Sequence, residues 1–186
     1  MFLNTSHFVK EECFDSSFCK NIIQQGDVKS LEQAKITDGN ANNRKSKVSW
    51  INNQELISQI TPIINQSNTN SNWNFLLREF EPLQYTTYNK DDHYDWHIDS
   101  HTKPYDNGLI RKLSFTICLN DDYAGGNFEL SIPHPISKKT KHFKFKKVFK
   151  PGTIIIFPSF IWHKVHPVIS GVRKVLVGWV VGKSFV

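Results

Sequence analysis

The sequence predicts an α+β, mainly β fold: a double-sheet jelly roll or barrel with helices from the N-terminal third packed outside it. Three observations carry this prediction. From about residue 75 onward, about eight short runs rich in β-branched and aromatic residues succeed one another with no helical pattern between them. Turn signals separate several of these runs: DNG at 106–108, DDYAGG at 121–126, PG at 151–152 and SG at 170–171. Before residue 75 the apolar residues recur at helical spacing instead.

Each element follows from local pattern. In DSSFCKNIIQQG, Phe18, Ile22 and Ile23 share a face, Asp15 or Ser16 can cap the start, and Gly26 is expected to end the helix. A second helix is expected over about residues 53–66, from Leu56, Ile60, Ile63 and Ile64, with Pro62 kinking or interrupting it. ITDGNANNRKSK between them reads as loop, and NQSNTNSNWN (65–74) as a polar connection. The strand-like runs are FLLREFEPLQYTTY, YDWHID, RKLSFTICLN, NFELSI, HFKFKKVF, GTIIIFPS, HKVHPV and VRKVLVGWVV. The expected organisation is one domain over 1–186, with 1–74 as helical support and 75–186 as the jelly-roll core.

Bulk properties narrow the function classes. A chain of 186 residues, 39% hydrophobic and 13% aromatic, can bury a sizeable core. It contains no apolar run long enough to span a membrane. MFLNTSHFVKEEC lacks the basic-then-apolar order of a secretion signal. Cys13, Cys19 and Cys118 are odd in number and form no CxxC, which argues against a disulfide framework and a cysteine zinc site and for a reducing compartment. A cytoplasmic protein without membrane contact is expected. The net charge of +6 is concentrated in KKTKHFKFKKVFK (138–150), which holds seven lysines. Such a segment suits phosphates or acidic peptides. The alternation of Phe143 and Phe145 favours a solvated edge hairpin whose lysines discourage strand-to-strand association.

Chemistry concentrates in HYDWHIDSH, residues 93–101. His93, His97 and His101 recur every four residues, as on one face of a helix. The surrounding residues offer no apolar i, i+3, i+4 series, however, and run into Pro104. Tyr94, Trp96 and Ile98 alternate with Asp95, His97 and Asp99, which is the period of a strand. On a strand, positions 97 and 99 project the same way about 6–7 Å apart, near enough to share an ion, whereas His93 and His101 each lie about 13 Å from His97. Two histidines and a carboxylate make the facial triad of non-heme iron, so a third ligand is needed. His163 and His166, just beyond the apolar strand GTIIIFPS, are the candidates. Arg173 follows His163 by ten positions on the next strand. Ferrous iron in such a triad keeps three open positions, suited to a bidentate 2-oxo acid and dioxygen. An arginine supplies a permanent planar charge for the distal carboxylate of 2-oxoglutarate.

With these residues in view, the sequence resembles the Fe(II)/2-oxoglutarate-dependent dioxygenases, in their prolyl 4-hydroxylase-like branch. The resemblance runs from about residue 75 to the C-terminus through Tyr88, HYDWHID, RKLSFTICLN, YAGGNFEL and KPGTIIIFPSFIWHKVHPVISGVR, with a looser match at EEC and RKSKVSW earlier. It implies a double-stranded β-helix, which is a jelly roll flanked by N-terminal helices. It implies His97, Asp99 and His163 as iron ligands and Arg173 as the salt bridge to 2-oxoglutarate; the family's spacing of about ten from distal histidine to basic residue fits His163 rather than His166. Tyr88, Thr116 and Cys118 are implied near the cosubstrate. Some relatives carry a tyrosine where Cys118 stands, leaving that contact to Tyr88 or Thr116. Tyr94, Trp179 and Val165 are implied in the pocket, with plain aromatic core as the competing role for Tyr94 and Trp179. Gly125-Gly126 reads as a turn needing positive φ, and Lys174 should face away from Arg173.

The activity implied is hydroxylation of a C–H bond, with Fe(II), 2-oxoglutarate and O2, ascorbate as a supporting reductant, and release of succinate and CO2. By branch, the substrate expected is a prolyl residue in a peptide or protein, and the loop SHTKPYDNGLI (100–110) should overhang the site. A free amino acid is an alternative substrate on the same scaffold. A nucleic-acid demethylase is a second alternative, kept open by the lysines of 138–150. Against it, Trp179 stands where that group carries a second arginine. A non-catalytic metal-binding or interaction module is the last.

Overall fold

The computed structural model describes residues 5–34, 43–101, 103–133, 140–145 and 149–184. The Asp15 carboxylate accepts from the Phe18 amide at 2.8 Å and starts helix α1, Ser16–Val28. Gly26 does not end this helix, which runs two residues further. Gly26 instead lies beneath Tyr85, whose ring occupies the space a Cβ would need. Asn53 caps α2, Gln54–Asn70, by accepting from the amides of Glu55 and Leu56. The helix passes through Pro62 rather than breaking there. Pro62 and Ser58 both face solvent, so water can take the Ser58 carbonyl that the proline leaves without an amide.

α2 also absorbs much of the asparagine-rich stretch expected to be a connection. Ile60, Ile64 and Ser67 bury along one side. The Asn68 side chain closes the end by pairing with both the amide and the carbonyl of Phe75, at 3.0 and 2.9 Å. Polar composition alone hid this helix, because its stability comes from one buried stripe and a side-chain clamp.

Strands β1 (Phe8–Lys10), β2 (Glu32–Gln33), β3 (Arg44–Lys45) and β4 (Lys47–Ile51) come from the part read as helical and loop. The earlier part of that loop, 36–42, lies outside the described residues. The remaining strands are β5 (Leu77–Phe80), β6 (Leu83–Tyr88), β7 (His93–His97), β8 (Leu109–Cys118), β9 (Ala124–Gly125), β10 (Phe128–Pro133), β11 (Thr140–Lys144), β12 (Ile154–Pro158), β13 (Trp162–Val165), β14 (Val168–Ser170) and β15 (Arg173–Lys183). They form a larger sheet in the order β1-β12-β8-β15-β6-β4-β2, with β5 also on β15. A smaller sheet runs β11-β10-β13-β7-β3, and β14 pairs with β9. This mostly-β sandwich of two sheets is the jelly roll that the sequence predicts.

Alternation along the strands creates two cores. Leu83, Tyr85, Leu113, Phe115, Ile117, Ile154, Ile156 and Leu176 point outward from the larger sheet onto Phe18, Ile22, Leu56, Ile60 and Ile64 of the helices. The intervening residues Tyr88, Cys118, Ile155, Phe157 and Val175 point inward onto Phe128, Leu130 and Val165 of the smaller sheet. The lysine-rich segment supplies β11, an edge strand. Its stretches 134–139 and 146–148 lie outside the described residues. Among the described residues, no helix is long and apolar enough to cross a membrane.

Gly26 offers a direct test of helix-to-sheet packing. Alanine gains about 1 kcal/mol of helix propensity over glycine, but overpacking against the fully buried Tyr85 ring costs about 1–3 kcal/mol. Gly26→Ala is therefore expected to lower the urea midpoint, while Lys20→Ala on the exposed side of α1 leaves it unchanged.

Candidate active site

The inward faces of the two sheets enclose a cavity of about 590 Å³. The sequence-predicted residues Tyr88, Tyr94, His97, Asp99, Thr116, His163, Val165, Arg173 and Trp179 all line it. Cys118 does not. It points inward at the far end of β8, where its thiol is buried in the inter-sheet core close to Arg173.

His97 is the last residue of β7, opposite His163 on β13. Asp99 lies beyond the strand end, so the two-residue alternation does not by itself aim the carboxylate. Two amides do so: Asp99 and Ser100 both donate to the Ser159 carbonyl, at 2.9 and 3.0 Å, folding the chain toward the turn after β12. The Nδ1 atoms of His97 and His163 engage the carbonyls of Asp95 and Ile161 at 2.7 and 2.9 Å. Those bonds fix both rings and leave each Nε2 directed at Asp99. His97 Nε2 is 3.8 Å from Asp99 Oδ1, and His163 Nε2 is 3.4 Å from Oδ2. The three candidate ligand atoms lie within 4.8 Å of one another.

The electrostatics prepare this set for a cation. Burial, reinforced by the neighbouring His163, pulls the His97 imidazole well below the ordinary histidine range and keeps it neutral. Burial pushes Asp99 up, but His163, His97 and Arg111 outweigh it and hold the carboxylate ionised, down at about 2. A neutral imidazole and a carboxylate retain their lone pairs at neutral pH, as metal ligation requires. Tyr94 stacks on His97 with ring centroids 3.4 Å apart, and Arg44 covers the other face of Tyr94 at 4.6 Å.

The remaining histidines fall elsewhere. His93 sits opposite Lys45 and contacts the Asp91 carbonyl, away from the cavity. His101 reaches the cavity wall, with its ring 5.4 Å from that of Tyr105. His166 pairs with Glu129.

Arg173 is 3% exposed, and its Nη1 has no hydrogen-bond partner among the described residues. No carboxylate among those residues lies within ion-pair distance of it. Thr116 Oγ1 and Trp179 Nε1, on the same cavity, are likewise buried and unpartnered. Leaving such groups unpaired costs about 1–3 kcal/mol each, and more for a charge. An anionic ligand beside Thr116 and Arg173 removes the deficit, so these residues fit a dicarboxylate as the three donors fit a divalent ion. Lys174 turns the other way and pairs with Asp27 of α1 at 2.7 Å.

Several contributors escaped the sequence. Arg111 grips both oxygens of Glu81, at 2.8 and 2.6 Å, and stacks over Trp179 at 3.9 Å. Tyr105 donates to the same Glu81 at 2.8 Å, tethering the loop after Asp99. Tyr123 lies close enough to Arg173 for the guanidinium charge to act on its hydroxyl. Gly125 and Gly126 have φ of +77° and +60°, as the turn demands. Gly126 also makes room for Arg173, because a Cβ there would stand 2.8 Å from the arginine Cδ. These partners are distant along the chain, and only the turn at 125–126 has a local signature.

Comparison with known proteins agrees with this geometry. Residues 83–181 match the model of the 2OG-Fe(II) oxygenase superfamily. A PKHD-type hydroxylase of Synechococcus sp. (strain CC9605) is 34% identical over 107 residues, covering 56% of this chain and 44% of the relative. The chain thus spans less than half the length of that protein. A PKHD-type hydroxylase of Prochlorococcus marinus (strain AS9601) is 30% identical over 188 residues, covering 96% of this chain and 77% of the relative. Among solved structures, the viral collagen prolyl hydroxylase of Paramecium Bursaria Chlorella virus-1 shares the fold with a TM-score of 0.69 at 18% identity, over 96% of this chain and 97% of that one. A Pseudomonas putida prolyl-4-hydroxylase does so with a TM-score of 0.70 at 16% identity, over 97% and 95%. The chain belongs to the 2OG-Fe(II) oxygenase superfamily.

Proposed function

We propose that this chain is a dioxygenase that uses Fe(II), 2-oxoglutarate and O2 to hydroxylate a prolyl residue in a peptide or protein, releasing succinate and CO2. The observation that carries the proposal is the buried, unpartnered guanidinium nitrogen of Arg173 in the same cavity as His97, Asp99 and His163. When bound, iron with its cosubstrate supplies oxidative decarboxylation and insertion of one oxygen atom into a C–H bond.

The chain's own residues bind, orient and exclude water. His97 and His163 would hold the ion through Nε2, and Asp99 through its carboxylate. Arg173 takes the distal carboxylate of 2-oxoglutarate, Thr116 donates its hydroxyl, and the Tyr88 ring packs against the guanidinium at 5.2 Å. Phe128, Phe157 and Val165 line the cavity and keep it dry. On the substrate side, Trp179 presents its unpartnered indole N–H, braced by the Arg111 guanidinium. A prolyl target is supported by the relatives named hydroxylases and by the fold shared with prolyl hydroxylases.

Incubation with Fe(II), ascorbate and 2-oxoglutarate over a panel of proline-containing peptides should give a one-oxygen mass gain on proline with stoichiometric succinate; succinate formation absent under every condition would overturn the enzyme assignment. His97→Ala should weaken Mn(II) or Fe(II) binding by at least about 100-fold, more than loss of an outer-shell partner costs. His93→Ala should bind the metal as the unaltered chain does, and titration calorimetry distinguishes the two.

Arg173→Met should raise the KM for 2-oxoglutarate by about 100-fold or more. It should also abolish the rise in Tm that 2-oxoglutarate with Mn(II) gives the unaltered protein. The ligand-free variant should be no less stable, because it no longer buries an unpaired charge. A ligand-free Tm several degrees lower would show that Arg173 serves the fold instead.

A further inference from the structure

The outward face of the smaller sheet has no part in the function proposed above. Phe128, Leu130, His163 and Val165 point inward, so Glu129, Ser131, Trp162 and Lys164 point out. Register aligns them in two rows. Ser131 lies between His142 and Trp162, and Glu129 lies between Lys144 and Lys164. Trp96 of β7 extends the second row, with Lys164 Nζ 4.7 Å over its ring and His142 5.6 Å from it. Glu129 is the carboxylate between the lysines, and it is already engaged by His142 at 3.1 Å and His166 at 2.5 Å. Lys144 and Lys164 have no carboxylate within ion-pair distance among the described residues. Asp95, the nearest other acid on β7, turns back to its own chain and accepts from the Trp96 amide at 2.8 Å.

This face runs into the cavity mouth. Trp96 and Trp162 line the cavity as well, and Trp162 is 48% exposed. A half-exposed tryptophan at a pocket lip offers a large contact surface at little entropic cost. Trp50 stands on the opposite lip, 47% exposed. A polypeptide whose target residue enters between the sheets must cross this rim.

We propose that the outward face bearing Trp96, Trp162, Lys144 and Lys164 docks an extended segment of the protein substrate that carries acidic side chains beside the residue to be hydroxylated. The proposal rests on the hydroxylase function above and adds its substrate class. Charge complementarity argues for carboxylates, since the unpaired groups on the face are cations. An extended chain laid across the strands, along the row of Lys144, Glu129 and Lys164, presents alternate side chains to that row. Glu129 in the middle of the face disfavours a continuous run of phosphates, whereas a peptide can place its acids over Lys144 and Lys164 and leave the centre neutral.

The test is fluorescence anisotropy with the full chain, Mn(II) and 2-oxoglutarate, using labelled proline peptides flanked by aspartates, glutamines or lysines. The aspartate-flanked peptide should bind about tenfold tighter than the glutamine-flanked one in low salt, as two partly exposed ion pairs allow. The lysine-flanked peptide should bind weakest, and the difference should shrink at high salt. In Lys144→Glu/Lys164→Glu the preference for aspartate flanks should vanish or reverse, while Lys20→Glu, on the far side of α1, should keep it. Equal binding of all three peptides, or an unchanged preference in the double variant, would overturn the proposal. So would displacement of the acidic peptide by a single-stranded oligonucleotide at lower concentration than by unlabelled peptide. Succinate release with 2-oxoglutarate is measured in parallel. Its absence would count against the hydroxylase itself, whereas intact release with no flank preference would count against the docking face alone.

Discussion

A buried arginine with an unpaired nitrogen governs the interior of this sandwich. Folding has placed Arg173 at the start of the central strand β15, where the walls are Tyr88, Val175 and the glycine turn at 125–126. Nearby charged side chains have protein partners: Arg111 has Glu81, Lys174 has Asp27, and Asp92 has Lys45. Arg173 alone among these has no carboxylate within ion-pair distance among the described residues, and its Nη1 has no partner there. A protein that carries such a deficit is less stable than an apolar equivalent and binds an anion correspondingly better.

The alternation of β8 and β15 distributes labour across the larger sheet. On β8, Leu113, Phe115 and Ile117 serve the helices, while Ser114 and Thr116 serve the cavity. On β15, Leu176 and Val180 join the helical core, while Arg173, Val175, Val177 and Trp179 face the site. One sheet thus separates a hydrophobic foundation from the cavity wall, to which the segment after β7 adds Asp99. A one-residue slip in either strand would exchange the two sets.

Legibility in the sequence followed this same logic. Strands β5 to β8, β10 to β13 and β15 stood out because alternation and turn residues are local signals. That Arg173 and Lys174 face opposite ways followed from parity. The helix through Pro62 and Asn68 did not stand out, because a buried stripe and a side-chain clamp override composition. Strand β4 was concealed as a short run inside a polar stretch, and becomes a strand by pairing with β6. Cys118 shares the parity of Thr116, yet it lies deeper than the cavity, a distance along the strand that parity does not report. The Glu81–Arg111–Trp179 stack and the Tyr123 contact to Arg173 join residues far apart in the chain, and no window of sequence contains both members.

The attachment of Asp99 and Ser100 to the Ser159 carbonyl has a mechanical consequence. Ser159 opens the turn that leads directly into β13 and His163, so one peptide group anchors the segment carrying the carboxylate and begins the segment carrying the second imidazole. Across the sheet pairing, His97 is held to the same strand. Ser159 also donates to the Lys112 carbonyl of β8, so the three donors are set at a seam where the two sheets are stitched together.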